Sequence, residues 1–245
     1  MKTVKILNCP ITFFNMDETL NYINTNIKIK NKIHHTAVNA MLLVNMKSDK
    51  ELFDAIINSD IINADGQSVI LASKFLNKPL PERVAGIDLM ENLIKLAYNE
   101  KYKIFFLGAK EDIIKKVIEK YSIIYSKNII AGYRNGYFNE NEELEIIKLI
   151  NESNANILFI GMSSPKKEKF LYKYKNKINV NFMMSVGGSF DVIAGAVKRA
   201  PLWMQKFCLE WFYRFIQEPK RMWKRYLYTN TMFIYYVIRE KLFGN

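Results

Sequence analysis

The residues best suited to chemistry stand where apolar runs give way to turns. Asp65 lies in Asn63-Ala64-Asp65-Gly66-Gln67, after an apolar run and ahead of a helical pattern. An Asp at the carboxyl end of a strand can serve as a general base. It is also a common helix N-cap, and on this pattern alone capping is the commoner role. Arg83 opens Arg83-Val84-Ala85-Gly86-Ile87-Asp88. Its guanidinium suits a phosphate or a carboxylate; the plain alternative is a surface ion pair with Glu82 or Asp88. Three segments join a strand-like run to a helix through glycine: Phe106-Leu107-Gly108-Ala109, Ile160-Gly161-Met162-Ser163-Ser164-Pro165 and Val186-Gly187-Gly188-Ser189-Phe190-Asp191. Backbone N–H groups at such helix starts can cradle phosphate oxygens. None is a full dinucleotide fingerprint or a Walker loop, so each glycine could equally serve a tight turn. His34 and His35 lack Cys, Asp or Glu companions at metal-ligand spacing and read as structural. No Asp-x-Asp pair offers to hold a divalent ion on a nucleotide diphosphate. A bound pyrophosphate would have to be neutralised by Arg, Lys and helix N-termini. No metal site and no cofactor is expected.

Loops of this kind need strands behind them. Ile33 to Val38, Ile61 to Asn63, Lys103 to Leu107, Asn128 to Ala131, Ile157 to Ile160 and Phe182 to Val186 are short apolar runs that read as buried strands. Helical stripes separate them: Leu89, Leu93, Leu96 and Ala97; Ile113, Ile114, Val117 and Ile118; Leu144, Ile147 and Ile150. Ser48 is placed to cap a helix with Asp49 and Glu51 in its first turn. This alternation predicts an α/β fold, a Rossmann-like, mostly parallel sheet with helices on both faces. Ligands of such sheets bind beyond the carboxyl ends of the strands, where Asn39 and Asp65 fall.

The 245 residues are 49% apolar and 24% charged, enough to bury a core and to exclude disorder as the main state. Cys9 and Cys208 make no disulfide framework, which fits a reducing cytosol. Met1 to Asn15 has no apolar core long enough for a signal peptide. Tyr226 to Ile238 is interrupted by Thr229, Asn230 and Thr231, so no membrane span is expected. The formal charge of +12 favours an anionic partner. Residues 196–245 carry ten Lys and Arg against three Glu, more than half of that excess, with all three tryptophans (Trp203, Trp211, Trp223). Such a mixture suits an anionic bilayer surface. It would also suit single-stranded nucleic acid, where bases stack on aromatics, and its bland alternative is an amphipathic hairpin packed on the domain. The boundary near Ala196 to Pro201 predicts a catalytic domain over 1–195 and a helical appendage over 196–245.

Taken in order, these segments resemble one family. Asn39, Ala64-Asp65-Gly66, Arg83-Val84-x-Gly86-x-Asp88-Leu89, Phe106-Leu107-Gly108, Gly132-x3-Gly136-Tyr137-Phe138, Gly161-x3-Pro165-Lys166-x-Glu168, Val186-Gly187-Gly188-x-Phe190-Asp191, Arg199-Ala200-Pro201 and Leu209-Glu210-Trp211-x-Tyr213-Arg214-x4-Pro219-x-Arg221 follow one another as in the WecG/TagA/CpsF family of bacterial glycosyltransferases. The resemblance runs from about Asn39 to Arg225. It implies an inverting, metal-independent enzyme that moves N-acetylmannosamine, or a related sugar, from a UDP donor to a lipid-linked acceptor. In the teichoic-acid branch the acceptor is GlcNAc on undecaprenyl diphosphate and the product is the β-1,4 disaccharide of the wall teichoic acid linkage unit. Asp65 matches the base. Asn39, Gln67, Arg83, Gly108, Gly161, Lys167 and Gly187 match substrate-binding positions, and Arg214 and Arg221, with Lys224 or Arg225, match cations for a diphosphate.

The resemblance gives the appendage two roles, supplying cations to the site and resting on the membrane that holds the acceptor. It implies a cytoplasmic protein, peripheral on the inner face of the cell membrane, with no nucleic-acid partner. Exposed apolar surface on such a chain points to self-association in solution. Two positions depart from the pattern: Lys167 stands where relatives commonly have Gln, and Ala37 where some have Thr. Both bear on the donor sugar more than on the reaction class. A near alternative keeps the fold and the acceptor class with another UDP sugar (the uronic acid or glucose) in surface-polysaccharide assembly. A distant one is a non-enzymatic module that binds membrane or nucleic acid through the tail.

Overall fold

The computed structural model describes residues 1–244, the side chain of Arg221 excepted. The chain opens with an antiparallel hairpin, β1 (Thr3–Ile6) and β2 (Cys9–Thr12), turned by Leu7 and Asn8 at φ 49 and 70°. Two left-handed residues in a two-residue turn match the twist of the flanking strands. Sequence reasoning missed this hairpin because its strands are four residues each, Pro10 interrupts one, and the turn lacks the usual Asn-Gly.

Then α1 (Met16–Lys28), β3 (Ile33–Val38), α2 (Ala40–Asn45), α3 (Lys50–Ile57), β4 (Ile61–Ala64), α4 (Gln67–Phe75), α5 (Gly86–Glu100), β5 (Ile104–Gly108) and α6 (Glu111–Ile124) follow. Next come β6 (Ile130–Arg134), α7 (Glu143–Glu152), β7 (Ile157–Gly161), α8 (Lys166–Tyr174), β8 (Phe182–Ser185) and α9 (Ser189–Ile193). The last three helices are α10 (Leu202–Lys206), α11 (Glu210–Gln217) and α12 (Pro219–Phe243). Strands β3 to β8 form one parallel sheet in the order β4-β3-β8-β7-β5-β6, flanked by helices as the alternation predicts. The expected strand at Asn128 begins two residues later, because Lys127–Ile129 forms a 3-10 turn. Asp49, not Ser48, caps α3: its carboxylate accepts the Leu52 N–H at 3.0 Å.

The chain folds as two compact units, one of Met1–Met16, Ala37–Ala85 and Lys198–Asn245, the other of Asp17–Thr36 and Gly86–Val197. The core of the first gathers Ile6, Leu43, Leu52, Ile62 and Val69 with Phe233 and Val237 from α12. The distal part of α12 is therefore a core element, and α12 packs on α2. Near its end Glu240 is buried. Its carboxylate accepts the Leu7 N–H at 2.8 Å and pairs with Lys78 Nζ at 2.8 Å. Satisfying a buried carboxylate from two sides makes up for its lost hydration. The core of the second unit gathers Phe105, Leu107, Ile147, Leu158, Ile160 and Leu171. Among the described residues no helix is long and apolar enough to cross a membrane.

Candidate functional site

In the first unit the ends of β3 and β4 lie side by side, the Asp65 N–H bonding to the Val38 carbonyl at 2.9 Å. Asn39 follows β3 and caps α2, its side-chain oxygen accepting the Leu42 N–H at 3.0 Å. Asp65 follows β4 but is not the cap of α4. Gly66 holds that position, with no side-chain capping bond. The Asp65 carboxylate stays about one-third exposed. Gln67 is the first residue of α4 and half-buried. A β-carbon on Gly66 would lie 3.3 Å from that of Asn39, so the two strand-end loops touch.

Arg83 completes this cluster. Its Nε donates to the Asp65 carbonyl oxygen, and its Nη2 lies 3.8 Å from Asp65 Oδ1. The same Nη2 donates to Glu210 Oε2 at 2.6 Å. Of the expected partners, Glu82 accepts the Met16 N–H at 2.6 Å. Sequence reasoning missed Glu210. Its signal was a lone carboxylate at the head of an aromatic helix in a basic segment. A fork of donors on a guanidinium can serve several oxygens at once, which is what this position requires.

The tail arginines have local partners. Arg214 Nε bonds Glu218 Oε2 at 3.0 Å one helical turn on. Arg225 is exposed with its guanidinium 5.2 Å from the centre of the Tyr226 ring, and Lys224 Nζ stands 5.3 Å over Trp223. The side chain of Arg221 lies outside the described residues. Across α10 to α12, Leu202, Trp203, Phe207, Ile216, Trp223 and Leu227 are exposed apolar side chains beside these cations.

In the second unit the glycine junctions have steric causes. Gly108 ends β5 at φ 136° and pairs in register with Gly161 at the end of β7. A β-carbon on Gly108 would strike the Gly161 carbonyl, and one on Gly161 would strike the Phe190 ring of α9. Gly187 follows β8 at φ 55°, with Lys167 Cε 3.6 Å from where its β-carbon would stand. Lys167 and Glu168 are both buried and paired with each other. Net charge there is zero, so Lys167 is not a free cation. His34 and His35 are buried in β3. His34 Nε2 lies 3.4 Å from Thr36 Oγ1, and burial, with smaller help from His35, Lys175 and Lys167, lowers its pKa to about 3. A histidine held neutral in a strand fits the structural role expected for it.

Comparison with known proteins agrees with the motif order. Residues 4–245 match the model of the glycosyl transferase WecG/TagA/CpsF family. The chain is 37% identical over 229 residues to the N-acetylglucosaminyldiphosphoundecaprenol N-acetyl-beta-D-mannosaminyltransferase of Bacillus subtilis strain 168, covering 93% of this chain and 88% of that one. The protein of the same name from Bacillus spizizenii is 37% identical over 176 residues, covering 71% and 67%. That from Staphylococcus aureus strain MW2 is 33% identical over 200, covering 81% and 77%. A match of this extent leaves one assignment: the chain belongs to the WecG/TagA/CpsF family of glycosyltransferases.

Proposed function

We propose that this enzyme transfers N-acetylmannosamine from UDP-ManNAc to the GlcNAc of GlcNAc-diphospho-undecaprenol, with inversion and without a metal ion. The observation that carries the mechanism is the Asp65 cluster: a partly exposed carboxylate at a strand end, beside an arginine that also bonds Glu210. Asp65 accepts the proton of the GlcNAc 4-hydroxyl. That oxygen attacks the anomeric carbon in line, the bond from this carbon to the UDP oxygen breaks, and UDP leaves with the electron pair. The product is the β-1,4 disaccharide. Arg214, Arg221 and Arg225 stabilise the diphosphate, and Asn39 and Gln67 contact the substrates, whereas Lys167, buried against Glu168, does not act as a free cation toward them. The exposed apolar and aromatic side chains of α10 to α12, interleaved with Lys and Arg, rest on the inner face of the cell membrane.

The test is UDP release by purified protein with a short-chain GlcNAc-diphospho-lipid in EDTA, using UDP-ManNAc, UDP-ManNAcA, UDP-GlcNAc and UDP-glucose. Turnover with UDP-ManNAc and no other donor is expected. Turnover only with another donor would move the enzyme to a different polymer. Absence of UDP binding would overturn the reading.

A further inference from the structure

We propose that Glu210 is a positioning residue that acts on Asp65 through Arg83. Asp65 is held by its main chain on two sides, its N–H on the Val38 carbonyl and its C=O on Arg83 Nε. The next residue of the Arg83 loop continues the pairing, with the Val84 N–H bonding to the Ala64 carbonyl at 2.9 Å. The Nε–H bond to the Asp65 carbonyl holds one point of the guanidinium plane. The 2.6 Å bond from Nη2 to Glu210 Oε2 fixes that plane. With the plane fixed, the same nitrogen stands 3.8 Å from Asp65 Oδ1. One guanidinium thus spans three oxygens on two acidic residues, and only its side-chain edge, 15% exposed, meets solvent.

The charge count supports this role. Arg83 alone would present Asp65 with a full positive charge. Glu210 shares that guanidinium, so the three side chains together carry a formal charge of −1. Glu210 is the first residue of α11, where the helix dipole favours a carboxylate. The residues that follow it, Trp211, Phe212 and Ile216, are exposed and apolar. The helix proposed to meet lipid therefore begins with the residue that orients the base. The inference rests on the transferase reading for its kinetic arm alone.

The test has two arms. In turnover, Glu210→Gln is expected to lower kcat by about 10–100-fold with both KM values unchanged, the scale of a misplaced catalytic group. The double variant Arg83→Lys/Glu210→Gln is expected to be no slower than Arg83→Lys, since Glu210 acts only through that side chain. Glu210→Asp, which keeps the charge but shortens the reach, should fall between wild type and Glu210→Gln. The second arm uses no substrate. Hydrogen exchange at the Asp65 and Val84 amides should quicken several-fold in Glu210→Gln while the α5 amides stay protected. Unchanged kcat, a lowered donor KM that marks Glu210 as a shield over a phosphate site, or multiplicative effects in the double variant would overturn the proposal. So would unchanged exchange. A wild-type enzyme silent with every donor would count against the transferase reading, while the exchange arm would still decide on Glu210.

Discussion

The loop after β4 and the loops after β5, β7 and β8 all follow short apolar strands, yet they are built from opposite materials. The first gathers charge. Asp65, Arg83 and Glu210 stand together, partly wet, each within reach of another. The others gather glycine. Gly108 and Gly161 lie against one another and against Phe190 with no room for a β-carbon. Where charge appears among them, at Lys167 and Glu168, it is buried and cancelled. A group that exchanges protons must keep access to solvent or substrate, and complete burial would suppress its charged form. A loop that must let backbone approach closely has the reverse need. The same strand–turn–helix phrase serves both ends.

This contrast makes crossed predictions. The largest effect is expected at Asp65. Asp65→Asn should cut kcat by about 10²–10⁴, the usual contribution of a general base, with Tm unchanged. A similar loss of Tm would break the contrast, because the residue would then be a structural one. Gly161→Ala should do the converse. Overpacking against Phe190 costs about 1–3 kcal/mol, which lowers Tm by roughly 3–10 °C in a chain of this size, with turnover retained at low temperature. An inactive variant of wild-type Tm would instead make Gly161 part of the chemistry. The smallest effect per step is in pH. His34 is held neutral, its pKa depressed from 6.5 to about 3, so the unfolded chain binds the extra proton. Stability is complete above pH 6.5 and falls as pH drops from there toward 3, by about 1.4 kcal/mol per unit. Replacing His34 with Gln should flatten that slope in acid-unfolding curves, and an unchanged slope would show that other groups dominate.

The sheet was legible because its strands are apolar runs bounded by turns, and buried parallel strands carry that signature in full. All six expected runs lie in it, with shifts of up to three residues at their ends. The hairpin at β1 and β2 was not legible, since four-residue strands with Lys5 opposite Pro10 carry little periodicity. The site was legible in part. Asp65 and Arg83 announced themselves as polar residues next to a strand end. Their contact did not, and neither did Glu210, because 127 positions separate Arg83 from Glu210 and no local pattern spans such a gap. The glycines were visible as turns, but their collision partners are side chains and carbonyls that only the packed sheet brings near. Lys167 looked like an available cation until its neighbour was seen to neutralise it.

The bond between Glu240 and Leu7 has a consequence in time. The unit holding Asp65 is discontinuous and needs Lys198–Asn245 to close its core, whereas the other unit is complete by Val197. A ribosome adding about 5–20 residues per second needs roughly 2–10 s to make that last segment. For that interval the nascent chain carries a finished half beside an unfinished one. Asp65 cannot be framed by Arg83 and Glu210 until the Lys198–Asn245 segment has been made. The Asp65 cluster is therefore assembled after the core of the other unit.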